Sequence, residues 1–496
     1  MTNTTKIIDI PQVKSPRAQA LDALRGLAII GMVFSGSLPH SLPAWMHHAQ
    51  VGPVSNFVYD SSISGITWVD LVFPFFIFSM GAAVPFAMSR RLEKGWPVWK
   101  AMLSLVKRWL LLCCFAIFVG QSSAWGYDLK LSDSKLPWAY SLFSFIAIFL
   151  ALWRTPEAWP KWSRVAISLA GWGIGLLMFF TIKLDGGVSM SIERNNIILH
   201  ILANISILIG FAWLLTRKGI LSRLVALGVA VAFTLGAGAG GWPSEVNEFL
   251  KNIPIGFGHK LGCLLRIDMM SYLSICIPGS IAGDILLQWM RGRGAIPLSS
   301  DSPTWSKTRM WCIALLGFVI VGVTCAGTLG RWVGQCMMIC MCLSLVIWSL
   351  VRDARSATEQ TVRKLFQFGV ALLFIGFVVE PYGGGIKKDP ATLSYFYVSA
   401  GLACYVLNSF ILILDEMKFC APFALVTGSG QNPMIAYTCG TLFWLPVLNL
   451  LGIGPIISRT VESHGAFVGT VWCATYTLLV MCLATVCSRS KIFWRS

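Results

Sequence analysis

The sequence predicts an all-α, polytopic integral membrane bundle of about 14 transmembrane helices (11–14), with both termini in the cytoplasm. Three observations carry that prediction. The chain is 56% hydrophobic and only 12% charged, where a soluble domain carries about a quarter charged residues. Apolar runs near the ~20 residues that a span requires recur along the whole length. The Lys and Arg residues, which outnumber Asp and Glu by 39 to 22, fall in short clusters between those runs, as they do in cytoplasmic loops. That distribution also argues against nucleic acid as the reason for the net charge of +17.

Taken in order, residues 1–18 are polar and mildly basic with no apolar core, so they read as a cytoplasmic tail and not as a cleavable signal peptide. One membrane domain is expected over 19–489, and the end of the basic "SRSKIFWRS" supplies a short cytoplasmic tail at 490–496. The first run, 20–39, leads into a loop, 40–66, that contains no Lys or Arg. Runs at 67–88 and 101–121 follow, separated by the basic "RRLEKGWPVWK". Further runs lie at 136–153, 163–182, 195–216 and 221–240. The connection 241–269 is the longest on the outer side and has room for short helices. After 270–289 comes an inner polar loop, 290–308. Six more runs complete the set, at 310–328, 332–351, 364–380, 393–414, 431–452 and 465–487. Alternating from an inside N-terminus gathers most of the basic residues on the cytoplasmic side, and an even number of spans returns the C-terminus there. The loop 40–66 then lies outside, and Asp70 sits about one turn into the second span at its outer end.

The 15 cysteines stand mostly inside apolar runs such as "LLLCCF" and "CMMICMC". They behave there as small hydrophobes, and no disulfide or metal spacing stands out. Candidate chemistry is concentrated elsewhere. In "TWVD", Thr67 suits a helix N-cap and Asp70 the N3 position, where a carboxylate meets the open backbone amides and the helix dipole. A carboxylate so fixed is also placed to orient an imidazole. The loop before it carries "AWMHHAQ", with His47 and His48 adjacent in a chain that has only 6 histidines. Two readings stand: wet interfacial side chains, or a proton-transfer group suited to neutral pH.

Asp22 and Arg25, at i and i+3 in the first span, can pair on one helix face. Arg25 can equally meet a phosphate, and Lys107 and Arg108 can do the same or simply snorkel. Polar residues are costly in hydrocarbon. Glu380, ahead of "PYGGGIKKDP", Asn432 in "GSGQNPMIAY", and Asn195, Asn196, His200 and Asn204 are therefore either interhelical hydrogen-bond partners or the lining of a polar cavity. His47, Glu380 and Asn432 are the candidates for contact with a substrate.

Together, "RAQALDALRGLAIIGMVF", the pair His48-Ala49 and "GITWVDLVFPFFIFSMG" resemble the start of the membrane domain of the heparan-α-glucosaminide N-acetyltransferase family and its bacterial, DUF5009-type relatives. "QNPMIAY" and the closing "KIFW" are similar to segments near that family's C-terminus. The resemblance implies transmembrane acyl transfer. Acetyl-CoA is the cosubstrate, bound from the cytosolic side, with no metal. The acceptor is an amino sugar or related glycan on the periplasmic side of a bacterial inner membrane. It implies further that His48, and not His47, is the catalytic histidine, as general base or acetyl carrier, with Asp70 as its orienting acid. The CoA phosphates would then lie near Arg25, Lys107 and Arg108, and a homodimer is a reasonable expectation. The sequence departs from the family pattern at Gly36, where an Asn is expected. It is also longer between Ala49 and Gly65, and "SKLPWAYSLF" replaces a basic Pro-Gly stretch before the fourth span. A rival reading is a permease for amino sugars or cell-wall sugar fragments, with "CIPGSIAGD" and "VVEPYGGG" as broken helices around a central site.

Overall fold

A computed structural model describes residues 18–124, 135–184, 187–256, 258–295 and 304–494. All but the last residue of the expected tail 1–18 lies outside the described residues, as do 296–303 of the loop 290–308 and the final two residues. The described chain is helical almost throughout. Its helices are α1 (Gln19–Ser35), α2 (Trp68–Glu93), α3 (Val98–Gln121), α4 (Leu136–Leu152), α5 (Lys161–Thr181), α6 (Ile197–Thr216), α7 (Ile220–Gly238), α8 (Trp242–Asn252), α9 (Leu273–Ala295), α10 (Lys307–Leu329), α11 (Val333–Val351), α12 (Ala357–Val379), α13 (Leu393–Phe410), α14 (Ala424–Gln431), α15 (Pro433–Cys439), α16 (Leu445–Leu450) and α17 (Ile453–Arg489). Among the described residues, 12 helices are long and apolar enough to cross a membrane, and α4 is a shorter apolar helix. Helices are the expected solution, because hydrocarbon offers backbone amides no other partner.

Each expected span meets a helix, with three local differences. The helix of the run 431–452 begins at Pro433 and continues to Leu450 through a π-helical turn at Gly440–Trp444. Asn432, at φ −127° and ψ 59°, lies outside the helical region and separates it from α14, and Pro433, which has no N–H, takes a first-turn position. The run 364–380 begins earlier, at Ala357, where Ser356 and Glu359 form a capping box. In α17 the helix is interrupted at Gly465, with φ 75° and ψ −161°, which a residue with a Cβ rarely adopts. The connection 241–269, expected on the outer side, carries a short helix, α8, followed by a two-stranded hairpin (Pro254–Gly256 with His259–Lys260).

The centre of the bundle is α2 packed on α9 and α13 packed on α12. α13 is buried along nearly its whole apolar length, whereas α5 and α7 expose most of theirs. The α2–α9 contact is backbone-close because glycines face backbone: Gly81 against Cys276, Gly279 against Phe78, and Gly283 against Ala82. Gly279 and Gly283 are the small-xxx-small pattern of membrane helix pairs. "CIPGSIAGD" is therefore a packing surface. α9 runs through Pro278 without a break, contrary to the broken helix that the permease reading expects there.

Candidate active site

The connection between α1 and α2 is a structured loop. Buried Gln50 staples it, donating from Nε2 to the carbonyls of Ile63 (3.1 Å) and Gly65 (3.2 Å) while its own carbonyl accepts from Asp60 N (3.0 Å). Thr67 then starts α2 as the sequence predicts: its hydroxyl oxygen accepts from Val69 N at 3.2 Å, and its own amide donates to Asp70 Oδ2 at 2.9 Å. The Thr67 hydroxyl also donates to the His47 carbonyl at 2.7 Å, which ties the end of the loop to the mouth of the helix.

Asp70 is fully buried, and both of its oxygens are used. Oδ2 accepts from the amides of Thr67 and Ala49, the latter at 3.2 Å. Oδ1 lies 2.8 Å from Nδ1 of His48, whose side chain is 39% exposed. An ionised carboxylate only accepts, so Nδ1 carries the proton and Nε2 is left as the basic nitrogen. The Asp70 carbonyl has a second constraint. Its helical donor would be residue 74, which is Pro74, so that bond cannot form. The buried Tyr395 hydroxyl takes the position instead, donating at 2.7 Å. The Asp-Leu-Val-Phe-Pro string thus places a carboxylate and frees its carbonyl within one turn.

His48 faces a cavity of about 480 Å³ that is also lined by Ala44, Ser64, Leu329 and Arg331. Arg331 pairs with Glu380 at 3.3 Å, so Glu380 stands behind the rim and not in the lining. His47 is buried, with its ring edge-on to Phe57 at 5.1 Å. Burial holds its pKa below the ordinary 6.5, and His40 and His48 add to the lowering.

The loop between α12 and α13 closes over this site. Gly65 N donates to the Ile386 carbonyl (2.9 Å), Ser64 to Gly384 (2.9 Å) and Lys387 Nζ to Ser61 (3.0 Å). These contacts bring in Lys388, which the sequence reading does not single out. Its ammonium nitrogen lies 3.0 Å from Nδ1 and 3.4 Å from Nε2 of His48, and 3.9 Å from Asp70 Oδ1. Burial lowers its pKa from the ordinary lysine value, against the opposing charges of Asp70 and Asp389. The one signal in the sequence is the adjacent Lys387-Lys388 in "GGGIKKDP", with nothing local to say which lysine points inward.

A second cavity, of about 260 Å³, lies deeper, lined by Arg25, Phe76, Arg108, Asn432, Tyr437 and Trp494 among others. Arg25 donates to the carbonyls of Gly430 and Ser79 (both 3.4 Å) and stands 3.9 Å from Asp22. Arg108 Nε is buried with no hydrogen-bond partner among the described residues. Two guanidinium groups, one with an orphaned donor, suit a phosphate or carbonyl oxygen. The structure thus gathers Arg25 and Arg108 but leaves Lys107 exposed on the outer surface of α3. Asn432 belongs to this cavity, not to the histidine site, and its amide donates to the Ile492 carbonyl at 2.6 Å. Asn196 caps α6, accepting from Leu199 N (3.1 Å), and Asn204 bridges to the backbone of Leu264 and Arg266, so these two are structural partners. No group of three or more metal-ligating side chains stands among the described residues.

The family model described as "Domain of unknown function (DUF5009)" matches residues 17–286. Two curated relatives match as well. Human heparan-alpha-glucosaminide N-acetyltransferase is 24% identical over 183 residues, covering 32% of this chain and 26% of that protein. The mouse protein of the same name is 31% identical over 103 residues, covering 21% of this chain and 14% of that protein. The chain thus aligns with about a quarter or less of the length of either relative.

Proposed function

The chain belongs to the DUF5009 family, and from that premise we infer that it is a transmembrane acyltransferase that moves an acetyl group from acetyl-CoA to an amino sugar or related glycan. The observation that carries this reading is the buried Asp70 carboxylate bound to Nδ1 of a half-exposed His48 at the edge of a cavity. That arrangement makes a base: Asp70 fixes the tautomer and stabilises the imidazolium once a proton arrives. His48 Nε2 takes the proton from the acceptor N–H or O–H as the acceptor attacks, then returns it to the departing sulfur. Acetyl-CoA, when bound, supplies the activated thioester. Arg25 and Arg108 hold its anionic or carbonyl oxygens.

In this reading the tails 1–18 and 490–496 are cytoplasmic, the domain 19–489 spans a bacterial inner membrane, and loop 40–66 faces the periplasm. The clustering of basic residues between spans supports that orientation. The two cavities share no lining residue, and in this reading the acetyl-bearing arm of acetyl-CoA threads between helices from the arginine cavity toward His48.

The test is release of free thiol from acetyl-CoA by the purified protein in detergent, with glucosamine and a panel of amino sugars as acceptors. Acceptor-dependent release that His48→Ala abolishes is the expected result. No binding of acetyl-CoA, together with uptake of labelled sugar into vesicles lacking CoA, would replace the enzyme with a permease.

A further inference from the structure

The position of Lys388 over the His48 ring is not explained by the pairing of Asp70 with His48. A lysine that served only to neutralise a buried carboxylate would hydrogen-bond to it. Here the ammonium is 3.9 Å from the nearest Asp70 oxygen but 3.0 and 3.4 Å from the two ring nitrogens. The in-plane position at Nδ1 is already taken by Asp70 Oδ1, at 2.8 Å. A nitrogen closer to Nδ1 than to Nε2 does not lie along the in-plane Nε2 lone pair, and Nδ1, which carries the proton, offers none. Among the described residues, His48 is its only neighbour at hydrogen-bond distance. Its N–H groups are therefore not held by any oxygen of the described residues, 3.4 Å from the nitrogen that serves as base, and the side chain keeps 22% exposure.

We propose that Lys388 is a third catalytic residue, whose ammonium group stabilises the oxyanion formed when the acceptor attacks the acetyl thioester beside His48. The assignment rests on the acyltransferase reading above. The acceptor lone pair forms a bond to the carbonyl carbon, and the C=O π pair moves onto oxygen, within reach of the Lys388 N–H groups. The acceptor proton passes to His48 Nε2. The oxyanion pair then re-forms C=O, the C–S bond breaks with its pair on sulfur, and the imidazolium proton goes to that sulfur. The products are the acetylated acceptor and free CoA thiol; Lys388 begins and ends protonated. Burial, which makes this ammonium more acidic than an ordinary lysine, also makes it a stronger donor to a developing negative charge. Preorganised donors of this kind act without reorganisation at the moment of reaction.

The experiment compares Lys388→Gln and Lys388→Arg with the wild type, as full-length protein in detergent. It uses acetyl-CoA with whichever of the amino-sugar acceptors the wild type turns over. Removing one oxyanion donor lowers kcat by about 10²- to 10³-fold. The expected result is a loss of that size in Lys388→Gln, with KM for acetyl-CoA little changed, and substantial recovery in Lys388→Arg, which keeps the charge. Equal losses in both variants, or a kcat within about threefold of wild type in Lys388→Gln, would overturn the assignment. Loss of folding in Lys388→Gln would leave Lys388→Arg to decide: a folded Lys388→Arg protein without turnover would refute a role carried by charge, and near-normal turnover would support it. A wild-type protein that releases no thiol with any acceptor overturns the acyltransferase reading itself, which separates that failure from failure of the Lys388 role.

Discussion

Asp70→Asn tests the core of the site, because the geometry dictates how the amide must sit. Two backbone amides, those of Thr67 and Ala49, converge on Oδ2 at 2.9 and 3.2 Å. An amide NH₂ cannot face them, so the Asn oxygen occupies the Oδ2 position and the NH₂ occupies the Oδ1 position, 2.8 Å from His48 Nδ1. There it donates to Nδ1. The ring proton is displaced to Nε2, and the nitrogen that must accept the proton already carries one. A wrong tautomer at an otherwise intact site costs about 10⁴-fold in kcat in the serine protease triad, and a loss of that order is expected here.

The structural cost is smaller. The two amides keep a neutral oxygen in place of a charged one, which amounts to about 1–2 kcal/mol in total. Activity and stability therefore separate. Thiol release should fall to near background, while the melting temperature in detergent drops by only a few degrees. A folded Asp70→Asn protein that keeps more than a tenth of the wild-type kcat would refute the assignment of Nε2 as the base.

Three further outcomes follow from other contacts. Arg108→Leu removes the orphaned guanidinium donor from the deeper cavity and should weaken acetyl-CoA binding about 10- to 100-fold, since bonds to charged groups are worth about 1.5–3 kcal/mol; titration calorimetry with acetyl-CoA checks this, and His48→Ala should leave that affinity unchanged. Tyr395→Phe leaves the Asp70 carbonyl without the donor that replaces the missing N–H of Pro74, a loss of about 1–3 kcal/mol of stability, readable as a lower melting temperature than wild type. His47 has its pKa depressed below 6.5 in the folded loop, so the unfolded chain binds that proton more readily; stability from this group is full above about pH 6.5 and declines as pH falls below it. His47→Phe should flatten the acid side of a plot of melting temperature against pH.

The parts of this protein that were legible in its sequence are those determined locally. Spans show as apolar runs because a helix needs about 20 mostly apolar residues to cross the hydrocarbon, and Thr67 with Asp70 shows as a cap because both partners lie within one turn. Proline is less legible. "CIPGSIAGD" is a break only in the permease reading, and Pro278 stays inside α9, whose Gly279 and Gly283 press against the α2 backbone. Pro433, near the start of the expected span 431–452, opens the helix behind a non-helical Asn432, whose side chain donates to the Ile492 carbonyl. Neither of these neighbours lies in a local window of sequence. Lys388 is the extreme case. It lies 340 residues from His48 in sequence, and the contacts that deliver it are mostly to backbone: Gly65 to Ile386, Ser64 to Gly384, Lys387 to Ser61. Bonds to backbone carbonyls make almost no demand on residue type at the acceptor, so they leave no pattern to read. The acid and the imidazole could be paired from "TWVD" and "HHAQ"; the cation above them required the fold, because only the return of the chain between α12 and α13 puts a second loop on the same face as the first.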